Sequence, residues 1–395
     1  MFFTSLLNYI KANKLFVCLL IVISIVSVFL FRIIINYSIG DSPIHAAFLD
    51  IYIPNHSLPC NFLYYLLLWG GSLFLSISPF QASIWVLALI HVFKYITIRQ
   101  LVLYIHGREF SGSFHKAIFE FGCFFLVFVF SLWPLGFNEQ IYIGTIPPNT
   151  WHNSTSLLMT PFAIALLIYS DKYLQSYNWR LLPVLLLICL LNLAAKPSFF
   201  HSFILIFPFL ILWKYKLTTP TWLIGVVLLI AVIFAFIQYL WLKHDAVLEL
   251  YVYKGAEQST IAIQPFAVWR CWTNNFSLAL FRSVAYPFIF SLFYFRKAYF
   301  TRMGVWVLLI FIVSLLYFIL IVETGPRFAH GNFMWQSIFA CLLLFVFTFS
   351  VHLKELSLRF FRLKWFDIII IIIFFLHLTS GILYLKKMIL TQNIY

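Results

Sequence analysis

The chain has 395 residues, of which 63% are hydrophobic, 21% aromatic and only 10% charged. That balance excludes a soluble globular enzyme. Apolar runs near twenty residues recur without the ten-residue alternation of a β-barrel, which leaves a polytopic α-helical membrane protein. The formal net charge of +14 is not a nucleic-acid signal, because the basic residues are scattered through inter-helix loops with no stacked aromatic-basic patch.

The basic stretch Met1–Lys14 precedes an apolar run from Leu15 to Ile35, too long for the core of a signal peptide, so it is expected to stay as the first helix. Further apolar segments fall near 61–78, 82–104, 117–135, 153–170, 182–196, 199–213, 221–242, 277–295, 304–322, 333–351 and 365–385. The N-terminus and the loops 105–116, 171–181, 214–220, 296–303 and 352–364 are basic, whereas 37–60, 136–152 and 323–332 are nearly free of Lys and Arg. About sixteen of the 26 basic residues, with Arg99 included, fall in the first set; about seven fall on the opposite side as a whole, of which only Arg327 is in these three loops, and Arg32, Lys94 and Arg282 lie inside apolar runs. The positive-inside rule therefore puts the first set in the cytosol.

This orientation conflicts with one crossing. If both 61–78 and 82–104 spanned, the loop with Arg108 and Lys116 would lie outside and every later loop would invert. The segment 61–78 carries Gly70, Gly71 and several serines and stops at Pro79, so it is expected on the outer membrane face. The expectation is one transmembrane domain over 1–395, with about 11 spans. A non-cytosolic loop with surface helices covers about 37–80, and a larger outer loop about 243–276. Lys94 and Arg99 are expected to reach the cytosolic headgroups.

Gly40-Asp41-Ser42-Pro43-Ile44-His45 closes the first span and opens a loop without Lys or Arg from Tyr37 to Cys60. Leu58-Pro59-Cys60-Asn61-Phe62-Leu63-Tyr64-Tyr65 then starts the surface helix, and a long span ends in Lys94-Tyr95 through Arg99. This layout, over roughly the first 170 residues, resembles the GT-C superfamily of membrane glycosyltransferases. In them an acidic residue lies near the start of the first non-cytosolic loop, ahead of surface helices. The chain departs from common patterns in that Ser42 follows Asp41 and no clear DxD is present. The resemblance implies an all-α bundle that transfers a sugar from a polyprenyl-phosphate donor to a glycan, lipid or protein acceptor. The reaction is expected to be inverting and independent of metal, with no cofactor. The expected site is the non-cytosolic face of a bacterial inner (cytoplasmic) membrane, the Phe, Ile and Lys bias pointing to an AT-rich genome.

Such a transfer needs a carboxylate to take the proton of the acceptor hydroxyl, and cationic donors where charge develops on the leaving phosphate. Asp41 is the expected base, with His45 beside it. Arg327 is the first choice as phosphate ligand, because a guanidinium binds phosphate bidentately. Lys196, in Ala194-Ala195-Lys196-Pro197-Ser198, and Arg270 are second choices. Glu139 is either a second acid or loop solvation. His152 and Asn153, after Pro147-Pro148-Asn149-Thr150-Trp151, are either an ordinary helix N-cap neighbourhood or a shaped loop on the substrate. The dense segment from Glu323 to Trp335 adds Glu323, His330 and Asn332, although Glu323 and Arg327 could simply pair with each other. Six histidines lean outside without HxH or HExxH spacing, so no metal is expected. The alternatives are a polysaccharide polymerase of the O-antigen type, whose key arginines usually sit in large outer loops, and a lipid-linked-sugar flippase or transporter.

Overall fold

The computed structural model describes residues 13–107, 112–133, 144–245, 247 and 260–392. Glu139 lies outside the described residues.

Nine helices among the described residues are long and apolar enough to cross a membrane. They are α1 (Lys14–Asn36), α4 (Pro79–His106), α6 (Ser154–Gln175), α8 (Ser198–Tyr215), α9 (Thr219–Lys243), α11 (Phe276–Tyr299), α12 (Arg302–Leu320), α13 (Trp335–Leu358) and α14 (Trp365–Thr391). The protein is an all-α, multi-pass membrane protein. Shorter helices fill the intervals: α2 (Asp41–Tyr52), α3 (Leu63–Leu75), α5 (Ser113–Leu126), α7 (Leu181–Ala195) and α10 (Ala267–Arg270). One antiparallel ribbon, β1 (Ile261–Ile263) with β2 (Ile321–Glu323), pairs Ile261 opposite Glu323.

Local chemistry sets the helix ends. Ser78 and Gln81 form a reciprocal capping box ahead of Pro79, and Gly107 stops α4 in the left-handed region at φ 69°. Asn153, Asn275 and Thr301 cap α6, α11 and α12 through their side chains. Burial separates core from periphery. The span ending in α13 is 94% buried within the protein, whereas α9 is 28% buried. In a membrane protein the exposed face of α9 (Val226, Leu229, Ile233, Phe236 and Leu240) meets lipid. The helix α4 is a hub, touching α1, α2, α3, α6 and α13.

Two stretches depart from the sequence expectation. The apolar run 117–135 gives no continuous helix: α5 ends at Leu126, and the chain to Trp133 runs irregularly through the interior. Three of its backbone N–H groups are met by other segments, as non-helical backbone in an interior requires. Phe130 N donates to His377 O (3.0 Å), Leu132 N to Arg282 O (2.9 Å) and Trp133 N to Ser380 Oγ (2.9 Å). A matching irregularity sits in α11, where Val284 leaves helical geometry ahead of Pro287 and frees Tyr286 N to donate to His377 Nε2. The second stretch is the expected loop 136–152, of which 144–152 is described and, with Asn153, is buried throughout within the protein.

Lys94 and Arg99 do not reach a surface. Lys94 is 2% exposed and donates to Asn149 Oδ1 at 2.6 Å. Arg99 makes two hydrogen bonds to the fully buried Glu120, at 2.8 and 2.7 Å, with Phe16 and Phe119 against its guanidinium. Partners on neighbouring elements met both side chains before they could snorkel.

Helix-end contacts sort into two sets. One joins the loops after α1, before α6, after α7 and after α9 with the β1–β2 ribbon. It is held by Asn153 to Asp41, Lys196 to Asn153, Tyr52 to Asp245 and Trp269 to Gly144. The other joins the ends of α4, α6, α8, α11 and α13 through Tyr104, Asp171 and Arg302, through Tyr215 and Tyr173, and through Lys297 and Glu355. The basic loops belong to the second set.

Candidate functional site

The turn from α1 into α2 is built on Gly40. Its φ of 72° favours glycine, and a Cβ there would lie 2.5 Å from His152 Cβ. The backbone of His152 thereby comes close enough to cap α2. Its carbonyl accepts from Asp41 N (3.1 Å), Ser42 N (3.1 Å) and Ser42 Oγ (3.0 Å). Asp41 is the first residue of α2, where the helix dipole favours a negative side chain.

Asn153 connects the elements. Its Nδ2 donates to Asp41 Oδ2 at 2.5 Å, while its Oδ1 accepts from Ser156 N (2.9 Å), Thr155 Oγ1 (3.2 Å) and Lys196 Nζ (3.2 Å). One amide thus caps α6 and holds both the carboxylate and the ammonium. Lys196 also donates to Ser156 Oγ (2.9 Å) and lies 4.1 Å above the Trp335 ring. Oδ1 of Asp41 accepts no hydrogen bond from the described residues. The carboxylate is half-buried and keeps one oxygen for a further donor.

The electrostatics extend the group. Burial pushes the Lys196 ammonium down to about 7; Asp41 opposes this and Arg327 adds to it. Burial takes the imidazoles of His45 and His152 down to about 4, again with Asp41 opposing and Lys196 adding. His330 is lowered by burial and Arg327, with Asp41 and Glu323 pulling it up. Asp41, His45, His152, Lys196, Arg327 and His330 therefore influence one another electrostatically.

Other expected residues fall differently. Arg327 Nε lies 3.4 Å from Glu323 Oε2, which also accepts from Asn332 Nδ2. Glu323 and Asn332 thus brace Arg327, by the pairing left open as its alternative. Arg270 is exposed at the end of α10, and among the described residues no hydrogen bond or ion pair ties it to Asp41. Its placement follows from α10, which turns on Trp269, a buried indole donating to Gly144 O. Among the described residues no three His, Cys, Asp or Glu side chains gather as metal ligands. Cys60 and Cys271 are free thiols.

Sequence reasoning missed a second carboxylate and its tyrosines. Asp245, 7% exposed, accepts from Tyr52 OH at the far end of α2 (2.7 Å) and from Val247 N (3.0 Å). Tyr65 is hydrogen-bonded to His45 Nδ1 at 2.5 Å, and its ring lies 5.7 Å from that of Tyr52. Asp245 helps burial to raise the Cys60 thiol to about 11, while Arg327 lowers it. A row of His45, Tyr65, Tyr52 and Asp245 therefore leads away from Asp41. The signal for it is an acid directly after an apolar span, in Lys243-His244-Asp245.

No family model matches the sequence, and no curated protein is significantly similar to it.

Proposed function

We propose that the protein is a GT-C-type membrane glycosyltransferase that moves a sugar from a polyprenyl-phosphate donor to a glycan, lipid or protein acceptor, with Asp41 as general base. The observation that carries this reading is the single Asn153 amide holding Asp41 on one side and Lys196 on the other. A base and a phosphate-binding cation are thereby fixed within one side chain of each other.

The step is a single displacement. Asp41 Oδ1 takes the proton of the acceptor hydroxyl, whose oxygen forms a bond to the anomeric carbon as the bond from that carbon to the phosphate oxygen breaks. The configuration inverts. The polyprenyl phosphate leaves with its new charge against Lys196 and Arg327, and these cations do the neutralising that a divalent ion does at other sites. Asn153 keeps Asp41 Oδ2 occupied, so the base presents one oxygen in a fixed direction.

Eleven passes fit the bundle under this reading. The nine long helices are joined by α7 and by α5 continued through the irregular chain to Trp133. The helices α2 and α3 then lie at the non-cytosolic surface and the basic loops in the cytosol. The 13-residue α3 is kept off the count by the placement of the basic loops and not by length, since the 15-residue α7 is only about 3 Å longer.

The test uses purified protein in vesicles with defined polyprenyl-phosphate sugars, following release of polyprenyl phosphate. Asp41→Asn is expected to stop transfer by about 10²- to 10⁴-fold while leaving insertion and thermal stability intact. Full transfer by that variant sinks the assignment. A lipid-linked-sugar flippase is the second reading, favoured by the broken α5 and the kinked α11. It predicts movement of the intact donor between leaflets with no polyprenyl phosphate released.

A further inference from the structure

Lys94 is retained where a lysine is costly. It is the sixteenth residue of α4, about 23 Å along that helix, and thus inside the hydrocarbon depth. No carboxylate lies within ion-pair distance among the described residues, and its hydrogen bond goes to Asn149 Oδ1 at 2.6 Å. An ammonium so placed costs several kcal/mol, which an apolar side chain of similar length would avoid. Packing alone does not account for it.

Asn149 supplies the account. It is 1% exposed and both ends of its side-chain amide are engaged: Oδ1 accepts from Lys94, and Nδ2 donates to Leu126 O (2.9 Å) and Val129 O (2.8 Å), where α5 unwinds. An amide has two orientations, and the obligate donor Lys94 selects the one that points Nδ2 at those carbonyls. The chain then reaches the site without slack. Thr150 is buried, Trp151 stacks with Phe130 and Tyr384, His152 O caps α2, and Asn153 grips Asp41 and Lys196. A small cavity lined by Lys94, Thr150, Ser156 and Trp335, with room for about one water, lies between Lys94 and the residues touching Lys196. We propose that Lys94 is a positioning residue of the Asp41 site, acting from inside the bilayer by locking the Asn149 amide and hence the chain that carries His152 and Asn153.

The inference rests on the glycosyl-transfer reading for its kinetic arm only. Three variants separate hydrogen bonding from charge. Lys94→Met removes the donor, Lys94→Gln restores an uncharged N–H donor, and Asn149→Asp removes the two N–H donors while keeping the acceptor. Hydrogen exchange of the peptide spanning 144–153 in the full chain reads positioning without any substrate. Exchange is expected to rise about tenfold or more in Lys94→Met and Asn149→Asp, and to return close to wild type in Lys94→Gln. Where transfer is measured, Lys94→Met lowers kcat about 10- to 100-fold with donor KM unchanged, and Lys94→Gln recovers most of it. Unchanged exchange in Lys94→Met overturns the proposal, as does equal loss in Lys94→Met and Lys94→Gln accompanied by a raised donor KM. Should Lys94→Met fail to accumulate in membranes, Lys94→Gln and Asn149→Asp decide: wild-type protection in the first with loss in the second supports the lock, and any other pairing overturns it. If no donor supports transfer, the exchange result still stands and the failure belongs to the glycosyltransferase reading.

Discussion

The carboxylates at the basic end and Asp41 at the other are held in opposite ways. At the basic end, Glu120, Asp171, Glu355 and Asp367 each meet an Arg or Lys within ion-pair distance. Those charges are satisfied by the protein itself and hold helices together. At the other end, Asp41 is held by a neutral amide with one oxygen free of the described residues, and the nearby Lys196 bonds to that amide and to a hydroxyl. An acid and a base that share a neighbour without pairing keep binding capacity for something else. Charge at the basic end is structural; at Asp41 and Lys196 it is available, although Glu323 and Arg327 nearby do pair.

Substitutions that swap these roles give the sharpest test. Asp41→Asn removes transfer and leaves the melting temperature in place, the largest effect on activity. Its opposite is Glu120→Ala, which strands Arg99 in the interior. This is expected to cost about 3–5 kcal/mol of stability, read as a lowered thermal midpoint in detergent, with undiminished activity per folded molecule. A Glu120→Ala protein as stable as wild type would erase the contrast.

Lys196→Met comes next, with donor affinity weakened roughly 10- to 100-fold, the scale of a charge-assisted hydrogen bond. Here pH separates charge from shape. The Lys196 ammonium is pushed down to about 7, so in the free protein it is present below that pH and lost above it. Polyprenyl-phosphate binding should therefore weaken as pH rises through 7. Lys196→Arg, charged throughout, should flatten that profile, and a wild-type profile already flat from pH 6 to 9 would remove Lys196 as the phosphate ligand. The smallest effect is that of Gly40→Ala. The strain of a positive φ and the approach to His152 should cost about 1–3 kcal/mol and weaken transfer by displacing the cap on α2. Equal activity and stability would show that the turn has slack.

Much of this contrast was legible in the sequence, because Lys and Arg placement reports helix order directly. The ends bearing the basic loops share one set of contacts, and Asp41, Lys196 and His152 are drawn together in the other through Asn153 and the His152 carbonyl. What stayed hidden depends on long-range partners. Asp245 is held by Tyr52, 193 residues away, and no local pattern marks that pair. The break in α5 falls within Leu126-Val127-Phe128-Val129-Phe130, an unbroken apolar run in which periodicity cannot separate helix from extended chain. Arg270 resembled a phosphate ligand by charge and loop alone, and its neighbour Trp269 decided its direction. Lys94 and Arg99 looked like snorkelling side chains because Asn149 and Glu120 lie on other elements.

The buried pair of Arg99 and Glu120 also bears on how the chain enters the bilayer. The helix α5 has 14 residues, about 21 Å, and includes Lys116 and Glu120, which makes it a weak signal for the insertion machinery. Its counter-charge, Arg99, is synthesised only 21 residues earlier on α4. The two segments therefore enter most cheaply as a pair, with the charges neutralised before lipid is met. A chain made in order then brings Glu120 to a neighbour that already carries its counter-charge.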